Sequence, residues 1–262
     1  MLSSYLIVTF LGLVLGSFTT ALVYRVPRGV SWAFQEKGES SAAPRSTCPH
    51  CKTQLQAADL IPLFSWILLR GKCRFCKEKI SPAYPAIELG SVVSALLIYS
   101  MLGWSSAAIF LLAALPFLIA LFVIDLQHMI LPNELVFIVG LIGFAKHVTE
   151  SFYFNTLKIE EIATIYLSAA LFYGGLSWFL GWLMERILKK EALGGGDIKF
   201  FAVSGLWLGI HNISAFCIAA GFLGVVLALL CRRISKEDVF PFGPALILSF
   251  YGILLVDGSF LG

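Results

Sequence analysis

The chain has 262 residues, of which 58% are hydrophobic and only 13% charged, with a mean hydropathy of +0.87. A soluble globular domain carries about 25% charged residues, so this composition excludes an ordinary soluble fold and places most of the chain in a bilayer. Lysine and arginine exceed aspartate and glutamate by 19 − 16 = 3, too small an excess to indicate nucleic-acid binding.

In chain order, residues 4–24 form an uncharged run long enough to cross about 30 Å of hydrocarbon as a helix. Its apolar core has no basic residues before it and no small-x-small cleavage site, so it reads as a retained anchor rather than a signal peptide. A polar segment, 25–85, comes next. Further apolar spans are expected at 87–104, 106–124, 135–148, 162–188, 213–231 and 242–256, and a shorter one at 199–210. Counting the short one gives about eight transmembrane helices, an all-α polytopic membrane protein.

The distribution of basic residues tests that count. With the N-terminus outside, the inside segments are about 25–85, 125–134, 185–199 and 232–241. These hold all of the 19 basic residues except Lys146 and Lys158, a strong positive-inside bias. Without the short span the last loop would flip, and Arg232, Arg233 and Lys236 would face outward.

The polar segment carries Cys48-Pro49-His50-Cys51 and Cys73-Arg74-Phe75-Cys76. Two C-x-x-C pairs let two tight knuckles converge on one tetrahedral ion held by four thiolates, and zinc suits such a set. Their separation of 21 residues lies slightly beyond the usual 15–20. Two disulfides are the competing reading, and the inside placement of the loop, where thiols stay reduced, favours the metal. A closed four-cysteine shell leaves no position for substrate, so its expected role is a structural staple, with His50 a bystander. Between the pairs, residues 60–69 are apolar but too short to span; they either pack against the membrane or form the module's own core. Cys217 and Cys231, in apolar runs, read as packing residues.

Ionisable side chains at membrane depth are costly, which makes each a candidate functional residue. The apolar run from Leu111 ends in Val123-Ile124-Asp125, and Gly194-Gly195-Gly196-Asp197 occupies the same inside edge before the short span. Two carboxylates at one depth, at a helix exit and a helix entry, can meet and share a proton. One then takes a proton from water while the other protonates an amide carbonyl, which is hydrolysis without a metal or a nucleophilic side chain. The glycines let a substrate backbone approach Asp197. The competing readings are an N-cap role for Asp197 and an ordinary interfacial charge for Asp125.

Gly194-x-Gly196-Asp197 resembles the G-x-G-D signature of intramembrane aspartyl proteases, and its continuation to Gly209 resembles the version found in prokaryotic type IV prepilin peptidases, with Leu206 where alanine is typical. Asp125 followed by Ile130-Leu131-Pro132-Asn133 resembles that family's first aspartate motif. Gly16-Ser17-Phe18 through Pro27, Ile61 through Trp66, Arg70 through Cys73, Tyr84 through Glu88 and Pro241-Phe242-Gly243-Pro244 resemble further landmarks, so the likeness runs from about residue 12 to 250.

The resemblance implies catalytic Asp125 and Asp197, and cleavage of type IV prepilins and pseudopilins after a glycine at the cytoplasmic membrane face. It also implies methylation of the new N-terminus with S-adenosylmethionine, because relatives with the four-cysteine module carry both activities and shorter ones only the first. The implied setting is the inner membrane, serving pili or type II secretion. The expected division is 1–24 as first transmembrane helix, 25–85 as cytoplasmic zinc module and 86–262 as transmembrane protease domain. Thr19 and Thr20 stand where the family often has asparagine, and no glycine-rich strand–helix loop marks a methyl-donor site. Glu88, starting the second span, is a candidate polar contact or an interfacial charge. The rival functions are a peptidase alone, a proton or cation transporter, which would be expected to show internal repeats, and a non-catalytic assembly factor.

Overall fold

The computed structural model describes residues 2–30, 32, 46–154, 156–189, 193–234 and 240–260. Most of 31–45, with Lys37 and Arg45, lies outside the described residues, as do Lys190 and Lys236. Among those described, every long element is a helix, and the only β features are two isolated bridges, Thr47 with Gln54 and Lys72 with Lys79. The helices are α1 (Leu2–Arg25), α2 (Phe64–Leu68), α3 (Ala83–Leu102), α4 (Ser106–His128), α5 (Asn133–Phe154), α6 (Ile159–Leu188), α7 (Gly195–Leu208), α8 (Ile213–Ile234) and α9 (Gly243–Phe260).

Each of the eight expected apolar segments forms a helix. Six are long and apolar enough to cross a membrane, namely α1, α3, α4, α5, α6 and α8. The apolar part of α9, Gly243–Asp257, is shorter, and α7 has 14 residues. Several helices outrun the hydrophobic segments that announce them. In α5, for example, Lys146 donates to Glu150 at 2.8 Å, an i, i+4 pair that carries the helix on past its apolar run.

The chain divides into two compact units, Met1–Tyr99 and Ser100–Gly262. In the first, α1 and α3 approach closely because Gly12 and Gly16 face α3. A Cβ at either position would lie 2.8 Å from the Cα of Val92 or Glu88 respectively. The Gly-x-x-x-Gly spacing is the usual device for close helix packing in lipid. The short helix α2 leaves Phe64, Ile67 and Leu68 exposed. This apolar face, contributed by the segment whose placement the sequence leaves open, is suited to lie against the membrane rather than to fill the module's core.

In the second unit α7 is central, packed by α5, α6 and α9, while α4 packs on α5 and α9, and α8 on α9. Phe200, Phe201, Ser204, Gly205, Trp207 and Leu208 of α7 are buried. Its contact with α6 depends on Gly205, where a Cβ would meet the Ala169 carbonyl oxygen and the Tyr173 ring, each at 2.7 Å. Its contact with α5 depends on Gly143, whose missing side chain makes room for the Trp207 indole. Trp207 Nε1 donates to the Val139 carbonyl at 2.9 Å.

The α6–α7 contact yields a direct test. Gly205→Ala must displace backbone rather than a flexible side chain, and we expect it to cost about 1–3 kcal/mol in detergent unfolding measurements. Gly175→Ala, on α6 with nothing within 4 Å of its Cβ, should stay within about 0.5 kcal/mol of the parent. Equal stabilities for the two variants would show that the glycine contact does not set the packing.

Candidate functional site

In the first unit the four motif cysteines converge. One ligand sulfur from each of Cys48, Cys51, Cys73 and Cys76 lies within 4.8 Å of the others, and Cys48 Sγ and Cys76 Sγ are 3.9 Å apart. Thiolates held about 2.3 Å from a tetrahedral ion stand about 3.8 Å from one another, so the cluster is close to the size a metal ion requires. None of the four is in a disulfide.

The two knuckles are built alike. Cys48 N–H donates to the Thr53 carbonyl at 3.0 Å and Lys52 N–H to the Cys48 carbonyl at 2.9 Å. Cys73 N–H donates to Glu78 at 2.8 Å and Lys77 N–H to Cys73 at 3.1 Å. Lys52 and Lys77 each close the turn in the left-handed region, at φ 58° and 62°. Hydrogen bonding by Thr53 lowers the Cys51 thiol to about 6, and the amides of Cys76 and Phe75 lower Cys73 as well. One cysteine in each knuckle thus leans toward the thiolate that a metal binds.

Glu88 has a specific partner: the Leu63 amide donates to its Oε2 at 2.7 Å. The landmark that begins at Ile61 is thereby tied to the start of α3. His50 lies beside the cysteines at the wall of a cavity of the first unit.

In the second unit Asp125 sits one turn before the end of α4, which stops where Met129 turns left-handed at φ 54° and its amide caps the Asp125 carbonyl at 2.9 Å. The Asp125 side chain is buried, and the Gly243 amide at the start of α9 donates to its Oδ2 at 2.9 Å. Asp197 lies in the first turn of α7; Gly194 is the N-cap there, and no side-chain cap bond forms. The Asp197 carboxylate folds back toward Gly194, where a Cβ would lie 3.1 Å from Oδ2.

Leu131 links the two positions. A Cβ at Gly196 would lie 3.0 Å from Leu131 Cβ, and one at Gly243 would lie 3.1 Å from Leu131 Cδ2 and 2.6 Å from Asp125 Oδ2. Gly196 precedes Asp197 and the Gly243 amide holds Asp125, so both acidic positions border on one leucine. Among the described residues neither has a cationic partner within ion-pair distance. Nearby, Lys199 Nζ donates to Asn133 Oδ1 at 2.7 Å, joining the starts of α5 and α7.

The sequence reading takes Leu131 and Gly243 as landmarks only. The contacts explain why a leucine and a glycine stand there: one spaces the acidic residues, and the other brings an amide against Asp125 where any side chain would collide with the carboxylate. Neither carries a chemical group that sequence inspection would single out.

Two carboxylates that border on one leucine, with no ion-pair partner among the described residues, are compatible with acid–base chemistry, and the wider comparisons agree on a peptidase. Residues 10–102 match the Bacterial Peptidase A24 N-terminal domain, and residues 112–229 match the Type IV leader peptidase family. The chain belongs to the type IV leader peptidase family. It is 34% identical to a type 4 prepilin-like proteins leader peptide-processing enzyme of Escherichia coli O78:H11, over 95% of this chain and 93% of the relative. It is 32% identical to prepilin leader peptidase/N-methyltransferases of Pectobacterium carotovorum and Neisseria gonorrhoeae, over 95% of this chain and 91% and 89% of those proteins. No solved structure matches the chain. The transport reading gains no support from these relatives.

The cysteine cluster predicts its own loss. Cys48→Ser and Cys76→Ser should each reduce bound metal, measured by elemental analysis of the purified full chain, and should loosen the module, measured by proteolysis of the loop. A full equivalent of metal in both variants would remove the cluster as the metal site.

Proposed function

We propose that this chain is a membrane aspartyl endopeptidase that removes the short basic leader of type IV prepilins and pseudopilins. Asp125 and Asp197 are its catalytic pair. The observation that carries this reading is their convergence around Leu131, with the Gly243 amide fixing the orientation of Asp125. The names of the relatives supply the substrate class.

In the reaction a water oxygen attacks the scissile carbonyl carbon. One carboxylate takes a proton from that water while the other, protonated, gives its proton to the carbonyl oxygen. Collapse of the resulting gem-diol breaks the C–N bond, the departing amine takes a proton, and the pair is left sharing one proton again. At Gly194 and Gly196 a Cβ would crowd the Asp197 carboxylate and Leu131, so the two glycines let Asp197 and Leu131 pack close to the backbone.

The active edge is assigned to the cytoplasmic side of the inner membrane, with the N-terminus outside. Basic residues support this orientation, since Arg25, Arg186 and Arg232 with Arg233 occupy the last turns of α1, α6 and α8, helix ends that a count of eight spans with the N-terminus outside assigns to the inside. Zinc is the metal assigned to Cys48, Cys51, Cys73 and Cys76; four thiolates and a closed shell make it a staple for the module. The chain is also assigned transfer of a methyl group from S-adenosylmethionine to the new N-terminal amine, on the double names of its relatives. The division into residues 1–24, 25–85 and 86–262 remains part of this proposal.

The test is leader removal by purified protein in detergent, followed by substrate mass. Asp125→Asn and Asp197→Asn should each slow cleavage by about 10²–10⁴-fold or more while leaving the fold intact. Gly243→Ala, which crowds Asp125 Oδ2, should also lower the rate at least about tenfold, chiefly in kcat. Parental cleavage by both asparagine variants would sink the aspartyl assignment.

A further inference from the structure

Three residues on one face of α7 line its contact with α5. Lys199, Val203 and Trp207 follow one another at intervals of four, so they form a single row along the helix. Trp207 fills the space left at Gly143 and donates to the Val139 carbonyl. One turn nearer the start of α7, Val203 meets Gly140, where a Cβ would lie 3.3 Å from its Cγ2. The row ends in Lys199, whose Nζ donates to Asn133 Oδ1 at 2.7 Å. Residue numbers rise together along the two helices, so α5 and α7 run parallel, and both begin at the edge that holds the acidic residues.

That last contact differs in kind from the first. Trp207 is buried, whereas Lys199 and Asn133 are both exposed. An exposed hydrogen bond from an ammonium to an amide contributes little to stability. Its place in the fold gives it another use.

Asn133 is the first residue of α5 and closes the short connection from α4, residues 129–132. The connection is pinned where it begins, by the left-handed Met129 whose amide caps the Asp125 carbonyl. Pro132 restricts Leu131 to extended backbone conformations, and its own carbonyl accepts the Val136 amide at 3.1 Å as α5 starts. Leu131 is thus carried between the end of α4 and the start of α5. Its Cβ and backbone lie against Gly196 of α7, and its Cδ2 lies against Gly243. Tilting the start of α5 away from α7 would draw Leu131 off Gly196. The Lys199–Asn133 bond opposes that movement two residues beyond Leu131.

Lys199 does not serve Asp197 directly. Residues two apart on an α-helix lie about 200° apart around its axis, so the ammonium and the carboxylate leave α7 on opposite sides. Among the described residues no ion pair joins them.

We infer that Lys199 and Asn133 are positioning residues for leader cleavage. Their hydrogen bond latches the start of α5 to the start of α7, which holds Leu131 in place and with it the spacing of Asp125 and Asp197. The inference rests on the catalytic pair proposed above. A displacement of about 1 Å among reacting groups can cost about 10²-fold in rate. A bond of small consequence for stability therefore has a large one for turnover.

The experiment measures kcat and KM for removal of a prepilin leader by the full chain in detergent, together with its thermal unfolding midpoint. Lys199→Met removes the donor and Asn133→Ala the acceptor. Each should lower kcat about tenfold, leave KM within about twofold and leave the midpoint unchanged. The double variant should be no slower than the slower single one, since the bond is already lost. Lys199→Arg, which keeps a donor, and Asn133→Asp, which keeps an acceptor, should recover most of the rate. Parental kcat in both single variants, a loss confined to KM, a loss that Asn133→Asp shares, or losses that multiply to about a hundredfold in the double variant would each overturn the latch. Asp125→Asn and Asp197→Asn are assayed beside them. If these are inactive while Lys199→Met and Asn133→Ala turn over normally, the latch alone fails. If they cleave as the parent does, the aspartyl assignment fails and the latch with it.

Discussion

Helices inside a bilayer gain nothing by turning apolar side chains away from lipid, so their association depends on close packing and on hydrogen bonds between them. In this protein that constraint falls on a few glycines. Gly12 and Gly16 bring α1 against α3, while Gly143 and Gly205 bring α5 and α6 against α7. The consequence extends beyond stability, because α3 carries Glu88 and α7 carries Asp197. Moving α7 outward by the width of a methyl group would move Asp197 with it, and moving α1 would uncover Glu88.

The short helix α7 shows how the fold manages polar backbone at depth. Fourteen residues rise about 21 Å, less than the roughly 30 Å of hydrocarbon. One end must therefore lie below the membrane surface, where unsatisfied backbone groups are costly. The structure meets this with side chains from neighbouring helices. Tyr173 donates its hydroxyl to the Gly209 carbonyl at 2.9 Å, and Asn212 donates to the Leu208 carbonyl at 3.1 Å. With its far end satisfied, α7 can begin where Asp197 is needed rather than where a full-length span would start.

Hydropathy and motif spacing made the helices, the cysteine cluster and both aspartates legible in the sequence. Each depends on information local to a short window: a run of apolar residues, two C-x-x-C pairs, or a charge ending a span. The helix ends were less legible because polar residues such as Lys146 and Glu150 extend α5 through side-chain pairing that hydropathy does not register. The support around the acidic residues was not legible at all. Gly243 lies 118 positions from Asp125, and a backbone amide leaves no trace in residue type. The Leu63–Glu88 contact was hidden for the same reason, and Leu131 had the appearance of ordinary packing.

Those two concealed contacts follow one design. Glu88 accepts an amide from Leu63, which follows Pro62 and precedes α2; Asp125 accepts an amide from Gly243, which begins α9 and precedes Pro244. Helix starts have N–H groups without intrahelical partners, and proline nearby, lacking an N–H, helps to fix where the helix begins. Each buried carboxylate is therefore oriented by backbone that would otherwise need a partner of its own. A single amide leaves most of a carboxylate's acceptor capacity unused. An arginine in its place would have neutralised the group and closed it to chemistry. One donor from the backbone fixes the direction of each carboxylate and leaves its remaining acceptor positions open.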